Sequence, residues 1–141
     1  MEPTAISAYV AALEAMRPET IDDVLVHCAD DVRFTDSFND VTGKPALRHV
    51  FADMFEKVSD LSFAVHDRQG TGARWLLTWT YAGRLGRLGH VTIEGMSRVD
   101  LDADGRVRRH ADFWDGGEIY RRVPVVGAVN RAIMRRVAAT G

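Results

Sequence analysis

The chain has 141 residues, the length of one domain, and can remove roughly two-thirds of its unfolded surface from water without disulfide support. Its 46% hydrophobic and 27% charged residues exclude the disordered, collagenous and membrane-embedded classes. Lysine and arginine number 18 against 20 aspartates and glutamates, a formal charge of -2. The clustered positive excess that phosphate binding needs is therefore missing, and nucleic acid is not an expected partner.

The N-terminal MEPTAISAYVAAL lacks the basic and continuously apolar regions of a secretion signal, so a cytoplasmic location is expected. Residues 4–16 place Ile6, Tyr9, Val10, Leu13 and Met16 on one stripe at helical spacing, with Pro3 and Thr4 as start signals and Arg17-Pro18 as the stop. A short helix follows in TIDDVLVHCA, with Thr20 as candidate N-cap and two aspartates in its first turn, where the helix dipole favours anions. The lone cysteine, Cys28, reads as a small buried hydrophobe.

Alternation in VRFTDSF predicts a strand over Val32–Phe38, and NDVTGK reads as a turn. The helix PALRHVFADMFEKV is the clearest in the chain: Pro45 stands near its start, and Leu47, Val50, Phe51, Met54, Phe55 and Val58 are apolar. After it the period changes to two. LSFAVHDRQ, ARWLLTWTYAGRL, HVTIEGMSRVDLD and RVRRHADFWD read as four strands, broken by GTG, GRLGRLG and DADG, the last suited to a tight hairpin. Pro124 opens a final amphipathic helix with Val126, Val129, Ile133 and Val137 on one face. Arg131, Arg135 and Arg136 lie on others, and Arg121 and Arg122 precede them. Such a basic helix suits either an anionic membrane or packing against the domain's own pocket mouth or a partner subunit, and packing is the reading taken, with no membrane partner.

Helices segregated from a run of consecutive strands give the α+β class in one domain over residues 1–141. The expected architecture is a strongly curved antiparallel sheet wrapped around the N-terminal helices to form a cone-shaped pocket, with an extra C-terminal helix. The segments YVAAL at 9–13, CADDVRFTDSF at 28–38 and GKPALRHVFADMF at 43–55 resemble the first half of bacterial ketosteroid isomerases. DADGRVRRHADFWD at 102–115 resembles SnoaL-like polyketide cyclases and limonene epoxide hydrolases. These share the nuclear transport factor 2-like fold, and the resemblance spans essentially the whole chain. It implies a homodimer and leaves the reaction open, because this fold carries isomerases, cyclases, hydrolases, dehydratases and binding domains.

Phe34, Asp36 and Phe38 fall on one face of their predicted strand, and a carboxylate between two phenylalanines loses hydration and becomes a better proton acceptor. By the ketosteroid isomerase resemblance Asp36 falls on the general base, and Tyr9 on the tyrosine that hydrogen-bonds the developing enolate oxygen. The plainer readings are an acid capping the turn at Asn39–Gly43 and a core tyrosine bonded to backbone. The second oxyanion donor of that family has no clear counterpart. An ungapped match from DADG places Ser97 there, while Glu94 requires a shift that reverses the strand's faces.

His110, Asp112 and Trp114 share one face of RRHADFWD. By resemblance that face lines the pocket, and Asp112 falls on the general base of the cyclases and epoxide hydrolases. A histidine two residues before an aspartate on a strand can hydrogen-bond to it and relay a proton. The plainer reading is ion pairing to arginines at the sheet rim. The middle strand RWLLTWTYAG lacks the Arg-x-Asp pair of the epoxide hydrolases, and Phe34 and Asp36 stand where those enzymes have tyrosine and asparagine, which disfavours that reaction.

The expected catalytic set is thus Asp36, Asp112, His110 and Tyr9. Phe34, Phe38, Val50, Met54, Ser97 and Trp114 line a pocket for a small apolar molecule, without metal or cofactor. The expected function is proton transfer beside a carbonyl, leading to isomerisation, cyclisation or dehydration. The alternative is a non-catalytic ligand-binding or dimerisation domain.

Overall fold

The structure is a computed structural model and describes residues 4–120 and 124–138. Pro3, Arg121 and Arg122 lie outside this range, and the side chains of Thr4, Val126 and Arg131 are likewise outside the described set.

Helix α1 (Thr4–Glu14) buries the predicted stripe of Ile6, Tyr9, Val10 and Leu13. Each such side chain removed from water contributes about 1.5–3 kcal/mol toward holding the helix on the core. Helix α2 (Ile21–Leu25) buries Ile21, Val24 and Leu25. Thr20 precedes α2 without capping it, because its hydroxyl accepts the Arg17 backbone N–H at 2.8 Å and fixes the 3-10 turn Pro18–Thr20 instead.

Strand β1 (Cys28–Thr35) begins earlier than predicted and ends before Asp36. It stops there because Asp36 opens a tight turn, its N–H donating to the Asn39 carbonyl at 2.9 Å. The expected turn at NDVTGK instead holds a short strand, β2 (Asp40–Thr42), antiparallel to β1. Arg33 grips Asp40 across that pair with two bonds of 3.0 and 2.9 Å. Helix α3 (Lys44–Lys57) follows Gly43, whose φ of +99° favours a residue without a Cβ.

The four later strands run β3 (Ser59–Thr71), β4 (Arg74–Arg84), β5 (His90–Leu101) and β6 (Val107–Phe113), and the sheet order is β2-β1-β6-β5-β4-β3. The α+β class and the curved sheet stand as expected. One pairing departs from the antiparallel pattern: β1 runs parallel to β6. That contact places the first strand between β2 and β6 and sets Phe34 beside His110. Register shifts in β1–β6, β3–β4 and β5–β6 are the places where extra residues bend the strands and curve the sheet. DADG forms the hairpin between β5 and β6, with Asp102 Oδ1 accepting the N–H groups of Asp104 and Arg106, and Gly105 at φ +80°.

A short helix α4 (Gly117–Tyr120) and the amphipathic helix α5 (Pro124–Val137) complete the chain. Val129, Ile133 and Val137 of α5 are more than half exposed, so they do not pack onto the domain's own pocket mouth. Among the described residues no helix is long and apolar enough to cross a membrane.

Candidate functional site

Between the concave face of the sheet and helices α1 and α3 lies a cavity of about 600 Å³. Period-two alternation aims every second residue inward: Phe34 from β1, Trp79 and Tyr81 from β4, Val91 and Ile93 from β5, His110 and Asp112 from β6. Helix α3 supplies Val50, Phe51 and Met54, and the segment after β6 supplies Trp114. Phe38, about half exposed, stands at the rim with its ring edge-on to Trp114 at 5.4 Å. The wall is thus mostly aromatic and aliphatic, suited to a flat or lipophilic ligand.

Of the expected catalytic residues, His110 and Asp112 meet on the wall. His110 Nε2 lies 2.6 Å from Asp112 Oδ1, with the histidine 3% exposed. Its ring is held by Phe34, centroids 5.1 Å apart, and Phe34 in turn packs edge-on against Phe51. Among the described residues neither His110 nor Asp112 forms the rim ion pair to arginine that the plainer reading offered.

Tyr9 does not reach the cavity. It is wholly buried behind His110, and its hydroxyl is 2.7 Å from His110 Nδ1. The expected hydrogen bond to a substrate oxygen is therefore corrected: helix α1 carries Tyr9 one layer too deep, and its donor is spent on the histidine. Burial foremost, then the negative charges of Cys28 and Asp112, pushes the Tyr9 hydroxyl well above the ordinary tyrosine value, so it stays a donor.

Ser97 is corrected in the same sense. Although β5 sets it opposite Asp112, it is fully buried beneath the wall rather than lining it. Its hydroxyl donates to Asp112 Oδ1 at 2.5 Å and accepts the Trp79 indole N–H at 2.7 Å.

An ionised Asp112 can only accept, so a neutral His110 beside it carries its proton on Nε2 and accepts the Tyr9 hydroxyl at Nδ1. Two lines of donors thus converge on Asp112 Oδ1: Tyr9 through His110, and Trp79 through Ser97. Oδ2 of Asp112 meets no donor among the described residues, and its side chain retains 19% exposure at the cavity wall.

Asp36 also borders the cavity, but its carboxylate is occupied elsewhere. Oδ1 accepts the backbone N–H groups of Phe38 and Asn39 at 2.8 and 2.7 Å, and the Asn39 amide lies 3.1 and 3.3 Å from the two oxygens. The turn-capping reading holds, and the strand face expected to aim Asp36 inward has already ended at Thr35. Ser97, expected at the second donor position and in the pocket lining, instead joins Trp79 as Asp112's second line of donors.

Among the described residues no group of three His, Cys, Asp or Glu gathers at metal-binding distance.

Residues 6–110 match the SnoaL-like domain. The chain belongs to that family. Solved structures with the nuclear transport factor 2-like fold are similar to this SnoaL-like protein over most of its length. A protein of ketosteroid isomerase-like fold from Catenulispora acidiphila, in complex with trimethylamine, gives a TM-score of 0.73 at 12% identity, covering 88% of this chain and 95% of its own. An LEH-like epoxide hydrolase of M. tuberculosis gives 0.66 at 23% identity, covering 92% and 93%. TerC, co-crystallised with polyporic acid, gives 0.66 at 17%, covering 79% and 89%. At these identities the likeness establishes the fold alone. No curated protein matches the SnoaL-like chain.

Proposed function

We propose that this SnoaL-like protein is a cofactor-independent acid/base enzyme, working as a cytoplasmic homodimer. It moves a proton at the carbon beside the carbonyl of a small, largely apolar compound of polyketide or steroid type. One observation carries the reading: Asp112 Oδ2 is a carboxylate oxygen without a donor among the described residues, held at the wall of an apolar cavity by two lines of donors on its other oxygen. Such a group is held in advance in the orientation that proton abstraction requires.

In the first step the substrate's α C–H bond breaks, the proton bonds to Asp112 Oδ2, and the electron pair moves to the carbonyl oxygen as an enolate. Trp114, which lines the cavity just after β6, is the proposed donor to this oxygen through its indole N–H. Return of the proton to a different carbon gives isomerisation. Attack of the enolate carbon on a second carbonyl gives ring closure. His110 and Tyr9 act as positioning residues through Asp112 rather than by touching substrate.

The decisive measurement is solvent-deuterium exchange of the α-protons in a panel of apolar ketones, followed by NMR. Asp112→Asn, which keeps the shape and removes the base, should slow exchange by about 100-fold or more. Equal rates for the two proteins refute Asp112 as base. The second reading, a ligand-binding domain without catalysis, is favoured by Tyr9 and Asp36 being spent on internal hydrogen bonds. It is upheld if the ketones bind but wild-type protein exchanges no protons. Light scattering of the purified protein tests the homodimer.

A further inference from the structure

The cavity has a second polar group at the far end from Asp112 that none of the chemistry above uses. Tyr81 projects from β4 into the cavity, half-buried, and its hydroxyl has no hydrogen-bond partner among the described residues. The internal hydrogen bonds that account for Tyr9, Ser97, Asp36 and the Trp79 indole leave Tyr81 out.

The sheet register fixes how far apart the two groups stand. Asp112 on β6 is opposite Ser97 on β5, whereas Tyr81 on β4 is opposite Ile93, four residues further along β5. Four residues along a strand and two strands across amount to about 16 Å between the Cα atoms, measured over the sheet surface. Both side chains border the same cavity, so a single ligand spanning it meets the two groups at different ends. The wall between is apolar: Ile93, Trp79, and Phe63, whose ring is tilted 44° to the Trp79 ring with centroids 5.4 Å apart. No polar side chain interrupts it, because Gly95 contributes none and Trp79 lies across that glycine.

We infer that Tyr81 is a specificity-determining residue whose hydroxyl hydrogen-bonds an acceptor at the distal end of the ligand. The site therefore selects mostly apolar ketones carrying a second acceptor at the end remote from the acidic carbon. Burial lifts the Tyr81 hydroxyl to about 12, so it is a protonated donor throughout the neutral range. A ketone, quinone or ether oxygen at that end pairs with it, while a hydrocarbon end leaves it desolvated and unpaired. The inference rests on the proposed reading only for the end of the ligand that faces Asp112.

Two ketones separate the terms: cyclohexanone bearing a para-acetylphenyl group opposite its carbonyl, and the same ketone bearing an unsubstituted phenyl group. Calorimetry on the full chain should show the acetyl compound binding about 3- to 10-fold tighter to wild type, the yield of one added hydrogen bond. Tyr81→Phe should erase that difference while leaving the phenyl compound's affinity within two-fold. Equal binding of both ketones to wild type overturns the inference. So does a Tyr81→Phe protein that weakens both equally, or the absence of binding at millimolar concentration. Asp112→Asn should retain the acetyl preference. A wild-type protein that shows the preference yet exchanges no α-protons upholds Tyr81 and refutes the catalytic reading of Asp112, so the two failures are distinguishable.

Discussion

Gly95 supplies the sharpest test of how the site is built. It is opposite Trp79 in the β4–β5 pairing, and the indole crosses it diagonally to reach Ser97, two residues further along β5. A Cβ placed on Gly95 would stand 2.4 Å from Cη2 of that indole, 2.6 Å from Cζ2 and 2.9 Å from Cζ3. Ordinary carbon contact begins near 3.4 Å, so Gly95→Ala must drive the ring outward by about 1 Å. Trp79 is only 4% exposed and packs against Phe63, so moving the ring breaks that packing and pushes it into the cavity. Overpacking of this kind costs about 1–3 kcal/mol, and loss of the Trp79–Ser97 hydrogen bond adds about 1 kcal/mol, for roughly 3 kcal/mol together. With an unfolding entropy of roughly 2.1 cal/mol/K per residue, a chain of 141 residues should lose about 10 °C in Tm. Near-UV circular dichroism during a thermal melt reads both the tryptophan environment and the midpoint. The assay is completed by Trp79→Leu and the double variant: with the indole gone, Gly95→Ala should cost less than 1 kcal/mol more. A Tm within 2 °C of wild type for Gly95→Ala, or strict additivity in the cycle, refutes the claim that this glycine exists to let the indole support Asp112.

The other expectations follow from the same wiring. Tyr9→Phe leaves the buried His110 Nδ1 without its donor and should cost about 1–3 kcal/mol in urea unfolding. If Tyr9 positions His110, the variant should also move the pH profile of α-proton exchange, which a purely packing role would leave in place. Asp36→Asn keeps an acceptor for the turn and should slow exchange only a few-fold, whereas Asp36→Ala frees two backbone N–H groups and should cost about 1–2 kcal/mol. Stability should also fall at both ends of the pH scale. Burial raises the Asp100 carboxyl, but hydrogen bonds and charges from Arg98 and Arg74 outweigh it, so its folded value lies below the ordinary 3.8. Its contribution is present above 3.8 and lost as pH falls through that lower folded value. In alkali the sign reverses. Burial raises Cys28 from 9.0 to about 11 and Tyr81 from 10.0 to about 12, so their contributions are whole below the unfolded values and disappear as pH climbs through the folded ones. Urea midpoints that stay flat between pH 9 and 12 would contradict this.

Which parts of this architecture were legible in sequence follows from which signals are local. The stripe of Ile6, Tyr9, Val10 and Leu13 and the apolar face of Leu47 and Phe51 are helical periodicities, and they were readable because burial on one face leaves a 3.6-residue imprint. The DADG hairpin was readable because Asp102 bonds only to its own loop. The parallel return of β1 beside β6 was not, since nothing in Val32–Thr35 records a partner about 75 residues away. Strand alternation correctly aimed His110, Asp112 and Trp114 at the cavity, and the same rule applied to β4 would have added Tyr81 as the neighbour two residues beyond Trp79.

Depth, by contrast, leaves no periodic trace. Alternation says which face a residue occupies, but not whether its tip ends in the cavity or one layer beneath it. Tyr9 and Ser97 were placed on the correct faces and still miss the ligand space, because the histidine and the aspartate stand in front of them. The misplacement carries chemical meaning. A tyrosine touching substrate would steady an enolate directly, whereas one bonded behind His110 fixes a tautomer and thereby aims Asp112. A site of this form can change substrates by altering the aromatic wall while its base keeps the same two supports. The reaction of this fold member is therefore written less in Tyr9 than in what stands opposite Asp112 across the cavity.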